Sequence, residues 1–231
     1  MNHYKGGRIR LYEALYERYS GLSFSFDTDR SIAIRGLEQK LVHGFNTRGG
    51  YGIFEAHLGR GLLWKRGKDY LTKLHYPSNR KGVPTWSWMY YLGRIAYLDL
   101  PFAKIEWSRD LESPFPLDQD TKYWTTHELD YVLQVRARAR EFEFGEAKRG
   151  IIFDTNDHYD PSLLRCVIVG NDKDDRPGEN QLHYVLIAKP ALDENVNRSE
   201  DMRHAYIRVG VGSMERRHIK IDWVPMDVEI F

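Results

Sequence analysis

Residues 83–91 read VPTWSWMYY (Val83 to Tyr91), which sets Trp86 and Trp88 on either side of Ser87, directly after Pro84 and Thr85. A tryptophan is costly to leave in water and its N–H needs a partner when buried, so such a pair is either a core anchor or a stacking surface. In an extended chain Trp86, Trp88 and Tyr90 share one face. Ile95 and Tyr97 in the next extended run offer apolar cross-strand partners, and no polar cluster flanks the pair. The stretch therefore reads as a strand that anchors a sheet to whatever precedes it. The alternative is a tryptophan platform for a sugar ring or a base.

What precedes it is helical. In RIRLYEALYERYS (8–20), Leu11, Leu15 and Tyr19 recur at a spacing of four, with Tyr12 and Tyr16 beside them. After the extended GLSFSF (21–26) comes a second helix, with Asp27 or Thr28 as its cap, Ile34, Leu37 and Leu41 on one face and Gly44 near its end. YGIFEAHLGRGLLWKR (51–66) fits a short helix or a strand equally well, and KLHYPSNRKGVP (73–84) reads as a loop.

Beyond residue 80 the period falls to two. TWSWMYY (85–91) and RIAYLDL (94–100) flank Leu92-Gly93, and LDYVLQVRARAREFEF (129–144) puts Leu129, Tyr131, Leu133 and Val135 on one face. GIIFDT, LLRCVIVG, LHYVLIAK, AYIRVGVG and HIKIDWV follow, separated mostly by turn-rich stretches. The expected class is α+β, an N-terminal helical segment packed on a predominantly antiparallel β-sandwich or barrel. A boundary near residues 76–83 would divide the chain into a helical segment, 1–80, and a β domain, 81–231; the alternative is one continuous domain.

At 231 residues the chain can bury a core without disulfides. Its 34 Lys and Arg balance 33 Asp and Glu, which leaves no overall electrostatic footprint for nucleic acid or an anionic membrane. No apolar run approaches the length of a membrane span, and the start MNHYKGGRIR lacks the apolar core of a signal peptide. Cys166, the single cysteine, lies in LLRCVIVG and reads as a small buried hydrophobe in a reducing compartment. A soluble, cytoplasmic protein is expected.

The motifs that carry chemistry elsewhere are incomplete here. RVGVGSMERRH has Gly210 and Gly212, but Glu215 stands where a dinucleotide loop needs its third glycine. A strand crossed closely by another backbone, or ending in a bulge, explains the two glycines better. Asp154, Asp157, His158 and Asp160 gather in one loop, and Asp172, Asp174 and Asp175 in another, without the spacing of a calcium loop; both read as solvated turns. The nine histidines show no zinc spacing. Arg136, Arg138 and Arg140 form a basic stripe opposite Ala137 and Ala139, and with Glu141 and Glu143 nearby they read as a solvated outer face rather than a phosphate cradle. There is no G-x-S-x-G elbow and no cysteine in a polar setting. Neither a catalytic residue nor a cofactor or metal is expected, while an enzyme with a site assembled from distant residues stays open.

In order and spacing, Tyr19-Ser20, Asp29-Arg30, Gly36, Leu62-Leu63-Trp64 and Pro84-Thr85-Trp86-Ser87-Trp88 resemble the region that follows the catalytic domain of fungal heterokaryon-incompatibility (HET domain) proteins. YVLIAKP and YIRVGVGSM resemble the closing strands of the same proteins. Thr85 stands in place of the family's serine, and Ser31 in place of its leucine. The hallmarks of the N-terminal HET domain, a TIR-like fold linked to cell death and nicotinamide nucleotide cleavage, do not occur in this sequence. The resemblance implies a non-catalytic accessory or regulatory module with a protein partner, a HET-type effector domain, in self/non-self recognition. Within it, Asp29 and Arg30 read as a helix cap with a salt bridge, or as a contact to that domain.

Overall fold

The computed structural model describes residues 2–75, 83–116, 133–173, 178–191 and 204–231. Most of the boundary region near 76–83, together with Leu129, Tyr131, Asp174 and Asp175, lies outside them. The first part holds the helices α1 (Asn2–Ser20), α2 (Arg30–Ala33) and α3 (Arg35–Phe45), a hairpin of β1 (Gly49–Gly50) and β2 (Ile53–Phe54), and α4 (Leu58–Leu62). Short strands follow: β3 (Trp64–Arg66), β4 (Thr72–Lys73), β5 (Tyr91–Leu92), β6 (Ile95–Tyr97) and β7 (Ile105–Trp107). The second part is β8 (Val135–Arg140), α5 (Phe144–Ala147), β9 (Ile151–Phe153), β10 (Arg165–Asp172), β11 (Leu182–Pro190), β12 (Ala205–Glu215) and β13 (Met226–Ile230).

The class is α+β, and its β part is a closed barrel. β8, β10, β11, β12 and β13 form a ring in which each strand pairs with the next and β13 returns to β8. Each antiparallel contact reverses chain direction, and an odd number of reversals cannot close a circle. One contact must therefore be parallel, and it is the short pairing of β12 with β13 at Ala205↔Glu229 and Tyr206↔Ile230. A ring this small has little interior, and VRARAR matches it by sending Val135, Ala137 and Ala139 inward while Arg136 and Arg138 face out. β7 and β9 are added at the edges of β10 and β12.

β9 explains Gly210 and Gly212. A methyl group on Gly210 would sit 2.8 Å from the Ile152 carbonyl oxygen, and one on Gly212 would sit 2.3 Å from that of Gly150. The glycines let a second backbone lie directly on β12, the first of the two readings offered for them.

The helical segment and the barrel interior share one core, which runs from Ile9 through Tyr12, Tyr16, Phe54 and the tryptophans to Val135, Val211 and Ile230. Pairing also crosses residue 80, with β3 on β6 and β4 on β5. A second core holds Cys166, Val185, Ile187 and Val209 under α5, and burial pushes the Cys166 thiol up to about 12.

Three expectations are corrected. In α1 the buried stripe is Ile9, Tyr12 and Tyr16, and Leu11 faces solvent. The helix is turned by about one residue, which sets the Tyr12 and Tyr16 rings against Phe54 and Tyr97 in an aromatic core. VPTWSWMYY is not a strand across its length: Trp88–Tyr90 is a 3-10 turn, and β5 and β6 pair with earlier strands instead of each other. HIKIDWV holds only an isolated bridge at Ile219, and the last strand is β13.

Candidate functional site

Arg30, Trp64, Pro84, Trp86, Ser87 and Trp88 converge at the junction of helices and barrel. Ser87 ends the extended run, because its Oγ accepts the Met89 N–H at 3.0 Å, capping the 3-10 turn, and donates to the Tyr51 carbonyl at 2.7 Å. Trp86 and Trp88 then both point inward. The Trp64 indole donates to the Trp86 carbonyl at 2.9 Å, and the Trp86 indole to that of Leu133 at 3.2 Å. Trp88 packs against Tyr16, with a ring separation of 5.3 Å, and against Gly52, whose φ of 77° and lack of a side chain make room for the indole. Pro84 is buried with them. With Trp86 and Trp88 fully enclosed, neither offers a stacking surface for a sugar.

Arg30 is fully buried rather than a surface cap. Its guanidinium donates to the carbonyls of Ser20 and Tyr91, each at 2.8 Å, and lies 5.8 Å from the Trp88 ring. Asp29 precedes α2 with helical backbone and gives it no side-chain cap, which corrects the capping expectation. Gly36 sits on an open surface of α3, where an added methyl would meet nothing within 4 Å.

Arg208, which the sequence reading did not single out, completes the junction. Its guanidinium stacks 3.3 Å from the centre of the Trp64 ring, pairs with Asp154 and donates to the carbonyls of Leu62 and Trp64. Its backbone N–H donates to Thr85 Oγ1 at 3.0 Å. Burial pushes the Asp154 carboxyl up, while the adjacent Arg208 guanidinium opposes that shift. The arrangement holds two parts of the chain together and presents no reactive group to solvent.

The other charged motifs are committed locally. Asp157 pairs with Lys73, and Asp160 caps the turn at Pro161–Leu163. Arg136 pairs with Glu229, and Arg138 with Asp110 and Asp227, as befits a solvated face. Among the described residues no group of three or more His, Cys, Asp or Glu could hold a metal ion, and no helix is long and apolar enough to cross a membrane.

Among the several clefts of the described residues, one of about 540 Å³ lies where α4 and the loop after β6 meet β7 and β10, lined by Leu58, Arg60, Phe102, Trp107, Val169 and Lys173 among others. Clefts of this size at the seam of two substructures suit small ligands. Arg60 lies 4.5 Å over the Phe102 ring, with Arg10 at 5.1 Å from the same ring. It donates to the Leu100 carbonyl at 3.1 Å and stands 3.7 Å from Glu13, whose carboxyl burial raises to about 7. Glu55 lines the cleft too, but Arg48 holds its carboxylate with two contacts. The sequence reading passed over this cleft because Ile105–Trp107 is too short for its alternation to stand out. Compared with known protein families, curated proteins and solved structures, the chain matches none.

Proposed function

We propose that this chain is a non-catalytic accessory module of the heterokaryon-incompatibility type, acting through contact with a HET-type effector domain. The observation that supports it is the division between buried and exposed positions in the N-terminal segment. Arg30, Trp64, Trp86, Ser87 and Trp88 are enclosed in the junction, whereas Leu22, Phe26 and Ile32 are 50%, 71% and 48% exposed and Gly36 is open. Large apolar side chains in water over one short stretch suit a protein interface. The buried residues build the module, and the exposed Leu22, Phe26, Ile32 and Gly36 offer the surface.

The test is to mix the purified chain with a separately produced HET-type catalytic domain and follow both co-elution and NAD consumption. Co-elution with altered turnover is the expected result. No complex at micromolar concentrations, or NAD turnover by this chain alone, would overturn the reading.

A further inference from the structure

We propose that the cleft between α4 and β7 binds a small anion that carries a flat ring, of about the size of a nucleoside monophosphate, with the ring on Trp107 and the charged group at Lys173. This does not rest on the partner reading above. Trp107 is 39% exposed, yet its position is tightly set. A methyl group on Gly59 would lie 2.4 Å from its Cε3 atom, and one on Gly170 would lie 3.2 Å from the same atom. Two glycines, one on the helical segment and one on the barrel, thus make space for a single indole at the mouth of a cleft. An exposed ring held in one orientation loses little freedom when another ring stacks on it.

The charge lies at the other end. Lys173 lines the same cleft, and among the described residues its ammonium meets no carboxylate. β7 pairs with β10 through Trp107↔Gly170, and the Lys173 N–H donates to the Lys104 carbonyl one step past the last pair. Gly170 and Lys173 are three residues apart along nearly extended chain, roughly 10 Å at about 3.3 Å per residue. That separation matches the reach from a base to its 5′ phosphate. The intervening wall has Phe102 and the buried Arg60, an apolar ring backed by a cation. Among the described residues the carboxylate lining the cleft, Glu55, is paired with Arg48, and Arg60 with Glu13, which leaves the Lys173 ammonium as the cleft's anion contact. A ring-bearing anion satisfies both ends, and neither a bare ring nor a bare anion does.

The indole N–H resonance of Trp107, assigned by its loss in Trp107→Phe, reports binding directly in ¹⁵N-labelled protein. AMP and 1-naphthyl phosphate are titrated beside adenosine and inorganic phosphate. The expected result is a saturable shift with the first two, an affinity about tenfold weaker for adenosine or phosphate alone, and a similar loss of AMP affinity in Lys173→Gln with adenosine unaffected. Thermal melts of Lys173→Gln should match wild type, since this side chain is exposed. No saturable shift with either ring phosphate, equal binding of AMP and adenosine, or equal binding of AMP and phosphate would each overturn the assignment.

Discussion

The guanidinium of Arg208 on β12 meets the carboxylate of Asp154, just after β9, at 3.0 Å, with both side chains fully buried. The same guanidinium reaches the carbonyls of Leu62 and Trp64 in the helical segment, so one side chain binds together three parts of the fold distant in sequence. A buried pair is weak evidence of net stabilisation, but removing one partner leaves the other charge without compensation.

Arg208→Met or Asp154→Asn should each cost about 3–5 kcal/mol. The double replacement Arg208→Met with Asp154→Leu should be less damaging than either single change, because no charge stays buried. Recovery should be incomplete, since the Leu62 and Trp64 carbonyls lose their donor. Urea denaturation of the four proteins checks the order.

Trp88 fills the space between α1, the Gly52 turn and Arg30. Trp88→Ala should lower stability by about 3–5 kcal/mol, and Trp88→Phe by clearly less, because most of the ring contact survives. Gly52→Ala should also destabilise, since it places a Cβ 2.2 Å from the Trp88 indole nitrogen at a φ of 77°. Equal melting temperatures for wild type, Trp88→Ala and Trp88→Phe would contradict the packing described here.

Glu13 gives the fold a pH dependence of known sign. Burial raises its carboxyl from 4.5 to about 7, against the pull of Arg60. The folded state thus holds this proton more tightly than the unfolded chain does. Its contribution is fully present below 4.5 and is lost as pH rises through about 7. Glu13→Gln, which cannot ionise, should therefore gain in melting temperature relative to wild type as pH goes from about 5 to about 8. A difference that stays constant over this range would show that Glu13 is not the titrating group.

The fold class was legible because two strong periods, near 3.6 and then two, are visible in the chain; AYIRVGVG and LHYVLIAK became the two longest strands of the barrel. The face of α1 was misread because Leu11 and Tyr12 are neighbours that can both be buried, and only the tertiary core decides which one is. The turn at Ser87 was missed because a serine between tryptophans looks like an alternating strand until its hydroxyl finds Tyr51. The Arg208–Asp154 pair lies 54 residues apart in sequence, and no local pattern announces it. The cleft was hidden for the same reason, since α4, the Phe102 loop, β7 and β10 contribute to it without any shared motif.

The most direct test of the proposed role is calorimetric titration of this chain into a HET-type catalytic domain, using wild type and the surface variants Phe26→Asp and Gly36→Arg. Both positions are exposed, so Phe26→Asp should melt as wild type does and Gly36→Arg, inside α3, no lower than wild type. The account predicts saturable binding by wild type that falls at least about tenfold in each variant. No binding by wild type, or binding that both substitutions leave unchanged, would contradict it.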